Sequence, residues 1–186
     1  GNTASITNAE AVSVTGPIKF IGGVVQNQAA LTASSGTIDI SASTSFTTSS
    51  TGTVTSSGAN TDTVIRSQKM TIANAINAGT GIVTLAPFTT NTAINMGSAV
   101  DTTASTLEIS DTEIDLITAG KLRIGEDTSG AVTVSAAITP ANTTTLAIRS
   151  GGNVTASGSG TITVANLGVK AAGTISLGNN NSVTGN

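Results

Sequence analysis

Apolar residues recur two apart along most of this chain, in all but one case with a polar or charged residue between them. The pairs run Val12/Val14, Ile18/Phe20, Ile38/Ile40, Val83/Leu85 and Leu107/Ile109. They continue as Leu122/Ile124, Val132/Val134, Leu146/Ile148, Ile162/Val164 and Ile175/Leu177. Lys19, Asp39, Thr84, Glu108, Arg123, Thr133, Thr163 and Ser176 fill the intervening positions. A period of two puts alternate side chains on opposite faces, so each segment reads as a strand with one buried side. The pairs are β-branched or Leu with one Phe, which suits a pleated, half-buried surface. From Leu122 onward strands are predicted to start at 122, 132, 146, 154, 162, 167, 175 and 183. The connections between them are short, built from Gly, Asn, Ser and Ala.

Short strands this dense fit either a sandwich of antiparallel hairpins or a solenoid of parallel coils. A sandwich fills a layer about 10 Å thick and uses large side chains for it. Here the only aromatics are Phe20, Phe46 and Phe88. Tight hairpins favour Asn-Gly or Asp-Gly turns, and neither dipeptide occurs. A narrow solenoid core can be filled by small β-branched residues stacked one coil above the next. The sequence therefore predicts an all-β fold, a right-handed parallel β-helix (β-solenoid); the hand follows from the general preference for right-handed parallel crossovers. With about 20–25 residues per coil and about 4.8 Å per rung, the chain makes eight or nine coils and a rod about 40 Å long. The repeats are degenerate, with no fixed hexapeptide or nonapeptide period.

Three stretches depart from the alternation. Residues 41–60 carry no charge and 13 of the 20 are Ser or Thr, which reads as two Thr-lined strands with a loose corner, or as a glycosylated protrusion. Residues 86–105 lack a clean period and are predicted to leave the coil. One short helical excursion is predicted near 110–119. Ser110 and Glu113 form a capping box, Asp111 and Glu113 favour the N-terminal dipole, and Gly120 stands where a C′ glycine belongs. Ile114 and Ile117 are its expected buried stripe.

Composition narrows the chemistry. Thr, Ser, Gly and Asn supply 93 of 186 residues, only 9% are charged, and the net charge is −3. At 38% hydrophobic content the chain is not of disordered type. His, Cys, Trp and Tyr are absent, which removes imidazole and thiolate metal sites, Ser-His and Cys-His nucleophiles, and disulfides. With seven Lys and Arg against ten acids, no basic face for nucleic acid is expected. No membrane insertion is expected either, because no apolar run approaches the roughly 18 residues of a spanning helix.

Several residues invite a sharper reading. Asp111, Glu113 and Asp115 form the one acid cluster; a general acid–base pair on a sugar or a weak Ca²⁺ site is conceivable, but helix capping accounts for them more simply. Glu126 and Asp127 in IGEDTSG make one acidic turn, too few oxygens for a Ca²⁺ cage. Thr-x-Thr at 51/53, 53/55, 61/63, 143/145 and 161/163 could order water as in an ice-binding face, yet the spacing is irregular. Sequons at Asn142, Asn153 and Asn180 are no more than the Ser/Thr content predicts. Asn8, Asn27, Asn153, Asn166 and Asn179–Asn181 are placed at corners, as left-handed residues or as amide ladders. No residue is assigned to catalysis, to a cofactor or to a metal.

LEISDTEIDLITAGKLRIG at 107–125 and GAVTVSAAITPANTTTLAIRSGGNVTASGSGTITVANLGVKAAGTISLGNNNSVTGN at 130–186 resemble the β-strand repeats of large bacterial filamentous-haemagglutinin-like surface exoproteins. GTGIVTLAPFTTNTAINMGS at 79–98 is similar to the unit that precedes that block in the same proteins. The resemblance implies a parallel β-helix exported by a two-partner or autotransporter route, serving as a stalk or adhesive fibre. No functional residue carries over with it. Residues 1–186 are thus expected to be one β-solenoid segment of a secreted, non-enzymatic surface protein, continuous with a longer repeat chain. Its expected partners are neighbouring coils or copies of itself, and surface glycans or cell-surface receptors. A glycan-binding or glycan-cleaving β-helix of tail-spike type is the alternative, and an ice-binding solenoid the lesser one.

Overall fold

Alternation becomes structure here by stacking. The computed structural model describes residues 4–103 and 105–185. In chain order the strands are β1 (Ser5–Asn8), β2 (Val12–Val14), β3 (Ile18–Asn27), β4 (Leu31–Ala33), β5 (Ile38–Thr48) and β6 (Val54–Ser56). Next come β7 (Thr63–Ser67), β8 (Met70–Thr71), β9 (Ile76–Asn77), β10 (Ile82–Ala86), β11 (Ala93–Met96) and β12 (Thr106–Ile109). A helix α1 (Asp111–Asp115) leads to β13 (Ile117–Thr118), β14 (Lys121–Ile124), β15 (Val132–Val134), β16 (Ala137–Ile138) and β17 (Thr145–Ser150). The last are β18 (Val154–Ala156), β19 (Thr161–Val164), β20 (Asn166–Ala171), β21 (Ile175–Ser176) and β22 (Ser182–Val183).

These strands form parallel ladders that climb a common axis, a β-solenoid of about eight turns. The long ladder runs β1-β3-β5-β7-β10-β14-β17-β20, with β8 also paired to β5. A second runs β2-β4-β6-β9-β13, a third β12-β11-β15-β18-β21, and a fourth β16-β19-β22. Register in the long ladder stacks like on like. One inward column is Ile18, Ile38, Thr63, Val83, Leu122, Leu146 and Leu167. The next is Phe20, Ile40, Ile65, Leu85, Ile124, Ile148 and Val169. Ile38, Ile40, Ile65, Leu85, Leu122 and Ile124 are fully buried, and such columns are where hydrophobic burial, about 1.5–3 kcal/mol per large aliphatic, is concentrated.

The expected strand starts after Leu122 fall within a residue of the observed ones, and the Ser/Thr-rich segment is the second half of β5 followed by β6. Four features differ from expectation. First, β11 lies within the segment expected to leave the coil; Ile94 and Met96 are buried, and among the described residues the departure begins at Gly97. That loop lets the chain cross the third face twice, since β11 sits between β12 and β15 in the ladder. Second, the helix is five residues long. Its cap is as read: Glu113 N donates to Ser110 Oγ at 3.3 Å and Ser110 N to Glu113 Oε2 at 2.9 Å. Leu116 is the C-cap, because Ile117 pairs with Ile76 in the second ladder and pulls the backbone out of the helix. Gly120 is therefore no C′ residue; a Cβ there would collide with the Thr80 carbonyl of the coil before.

Third, Thr63 and Ser67 are fully buried where the apolar rule looks for aliphatics. Thr63 Oγ1 is satisfied by Ser56 Oγ at 3.0 Å, so the polar atom does not stay orphaned. Fourth, the pairs Val12/Val14 and Ile175/Leu177 are half-buried or exposed, because end rungs have a neighbouring rung on one side only among the described residues. Close approach between coils also explains a glycine: any Cβ on Gly160 would strike the Val134 carbonyl.

Candidate functional site

Outward positions of the long ladder gather most of the scarce positive charge. Lys19, Arg66, Lys121, Arg123, Arg149 and Lys170 all lie on its strands, and they are six of the seven cations in the sequence. One outward column reads Lys19, Asp39, Val64, Thr84, Arg123, Ala147 and Gly168. Strand alternation puts them there, two residues apart from the second outward column that contains Arg66, Arg149 and Lys170.

The N-terminal half of this stripe is neutralised. Lys19 Nζ lies 3.5 Å from Asp39, and Arg66 Nη1 lies 3.5 Å from the same carboxylate. Arg66 then reaches over the small Ala86 of the next rung and grips Glu126 with two bonds, Nη2–Oε1 at 2.6 Å and Nε–Oε2 at 3.1 Å. A bidentate guanidinium–carboxylate pair is the strongest of the charge-assisted bonds. The hydrogen bonds that Arg66 donates to Glu126 raise the Arg66 pKa, with burial working against them.

The C-terminal half is not neutralised. Lys121, Arg123, Arg149 and Lys170 occupy three consecutive rungs, β14, β17 and β20. Their near counter-ion is Asp127, 2.7 Å from Lys170 Nζ and 3.8 Å from Arg149 Nη1. The hydrogen bond from Lys170 holds the Asp127 carboxyl below its ordinary value, with the charges of Lys170, Arg149 and Arg123 adding to it. Arg123 Nε is buried and has no hydrogen-bond partner among the described residues. Beside it the outward column loses its side chains at Ala147 and Gly168, leaving an open depression bordered by Arg149 and Lys170.

The residues singled out in the sequence are dispersed by comparison. Asp111 Oδ1 accepts from Thr139 N at 2.7 Å and Asp115 Oδ1 from Ala141 N at 2.9 Å, both in the following coil. Glu113 turns the other way, accepting from Ile72 N at 3.0 Å. Three carboxylates at i, i+2 and i+4 thus bolt α1 to the coils on both sides. Glu126 and Asp127 diverge to Arg66 and Lys170. Among the described residues no three His, Cys, Asp or Glu side chains come together as metal ligands.

The Thr-x-Thr motifs do not form one surface: Thr61, Thr63 and Thr143 are buried, while Thr163 faces out. Of the corner asparagines, Asn8 and Asn27 make the expected amide rung, Asn8 Nδ2 donating to Asn27 Oδ1 at 2.8 Å. Asn153 and Asn181 instead accept from the backbone of Thr174 and Ile162. The left-handed asparagines are others, Asn60 and Asn91, at φ 57° and 61°.

A scan of protein-family models and searches among curated proteins and solved structures find no match for this chain. No helix among the described residues is long and apolar enough to cross a membrane.

The charged stripe itself escaped the sequence reading. Arg66 and Glu126 are 60 residues apart, and nothing local signals their contact. The signal that was available was positional: cations stand repeatedly beside the apolar pairs of one strand set.

Proposed function

We propose that this chain is a non-catalytic length of a secreted bacterial surface fibre, serving as a stalk that also presents an adhesive face. The observation that carries the reading is the uninterrupted long ladder. Eight successive rungs share backbone hydrogen bonds and inward aliphatic columns along one axis, so each coil is held only by its neighbours and length is added without changing the cross-section. Outward columns such as Ser13-Thr32-Thr55-Asn77-Thr118 keep the second face polar and uncharged, suited to lying against other surfaces. The resemblance of residues 79–98 and 107–186 to filamentous-haemagglutinin-like repeats points the same way.

Two rival readings are weaker. Glycan cleavage calls for a pair of free carboxylates facing one bond, and the acid cluster spends its oxygens on backbone amides. Ice binding calls for a flat, regular Thr array, and half of the motif residues are turned inward or set at corners.

The test has two parts. Protease added to intact producing cells is expected to release this segment, and beads coated with the 186-residue chain are expected to adhere to glycan-bearing surfaces. A chain protected from protease until the cells are lysed, with inert beads, would overturn the proposal.

A further inference from the structure

We infer that the depression over Ala147 and Gly168 is a binding site for a carboxylate-bearing saccharide, an inference that rests on the adhesive reading and gives it a ligand class. The first ground is charge. In a molecule of net charge −3, four of seven cations stand on three adjacent rungs, and Asp127 is the acid paired with them. Arg66 and Lys19 show what this architecture does when it wants a neutral face, since both reach Asp39 in the ladder and Arg66 also grips Glu126. Among the described residues, rungs β14, β17 and β20 lack such partners for Arg123, whose Nε is buried and unpaired.

The second ground is shape. Arg123 is followed in its column by Ala147 and then Gly168, and a Cβ on Gly168 would meet no atom within 4 Å. The floor is thus backbone and the Ala147 methyl group, with Arg149 and Lys170 along one side. On the other side stand Thr145 and Asn166, hydroxyl and amide on adjacent rungs, which suit the hydroxyls of a sugar. Rungs about 4.8 Å apart are spaced much as successive pyranose rings are, so a chain with a carboxylate per ring can meet a cation per rung. The depression is open to solvent and bordered by two cations, so an anionic ligand fits it better than an aliphatic one, which would stay mostly in water. A duplex nucleic acid needs a continuous basic face to replace its counterions, and the acids Asp39, Glu126 and Asp127 on the same face oppose that.

In binding, the saccharide carboxylate takes a guanidinium fork from Arg149 or Arg123, and Lys170 shifts toward it from Asp127. The role of Asp127 follows: it is a competitor for the ligand's place.

The test is titration calorimetry of the 186-residue chain with oligogalacturonate, with neutral maltohexaose and with a duplex DNA dodecamer. Oligogalacturonate is expected to bind and the other two are not. Arg149→Gln and Gly168→Leu are each expected to weaken binding about tenfold, one by removing a charge-assisted bond and the other by filling the floor. Asp127→Asn is expected to tighten it. Gly168→Leu enters open space on an exposed strand, so circular dichroism should show an unchanged fold and the loss can be read as steric. No heat with oligogalacturonate, equal binding of DNA, or full binding by Gly168→Leu would each overturn the site. Adhesive beads together with no oligogalacturonate binding would sink the site and leave the adhesive role standing. Inert beads with oligogalacturonate binding would do the reverse.

Discussion

Ile162 and Thr163 are chain neighbours in β19 with opposite surroundings, one fully buried and the other exposed. Ile162→Asp puts an unpaired carboxylate into a narrow aliphatic column and should cost more than about 4 kcal/mol, while Thr163→Asp should stay within about 0.5 kcal/mol. Urea midpoints of the two variants check this, and similar losses would mean that the two faces have been misassigned. Asp101 offers a pH test. Burial, chiefly, with help from the charge of Glu113, raises its carboxyl above the usual value of 3.8, and its Oδ1 has no partner among the described residues. The folded state therefore holds that proton more tightly than the unfolded chain does. Stability is lost as pH rises from the ordinary carboxyl value through the raised one, and the penalty is complete above it. Asp101→Asn should consequently stabilise the protein at pH 7 and leave it unchanged at pH 3, as read from urea midpoints at each pH. Asp127 has the opposite sign, but it is exposed and its ion pairs are worth little.

At the scale of the element, α1 shows how a five-residue helix persists when isolated helices of that length do not. Its box fixes the first turn, and its carboxylates accept Ile72 N below and Thr139 N and Ala141 N above. Ser110→Ala removes only the cap and should cost about 1 kcal/mol. Glu113→Ala also strands the amide of Ile72, which is nearly buried, and should cost about 3 kcal/mol. Thermal or urea denaturation of both variants tests the order; equal losses would reduce Glu113 to a helix cap.

For the whole molecule, stability should vary along the axis. Interior rungs are stacked on both sides, whereas Ile175 and Val183 are each 49% exposed. Hydrogen exchange on the 186-residue chain should release β21 and β22 amides well before those of β7, β10 and β14, since a solenoid unzips from its ends. Uniform protection along the chain would argue against rung-by-rung cooperativity.

Much of this was legible without coordinates. The alternation of Leu122/Ile124, Leu146/Ile148 and their kin, with small residues between strands and few aromatics, determined short half-buried strands stacked as coils. The Ser110/Glu113 box determined where the helix begins. These are properties of a few consecutive residues, and local sterics and hydrogen bonding suffice to read them. Register, in contrast, depends on which residue lies one coil away, at separations of 20, 25 or 39 residues within the same inward column. Only the tertiary structure could therefore place Thr63 in the core, end the helix before Leu116, span Ala86 with Arg66, and set Arg123, Arg149 and Lys170 around a floor of Ala147 and Gly168. Contacts between coils are made across space, and the lengths of intervening loops, free to vary at little cost in chain entropy, leave no periodic trace in the sequence.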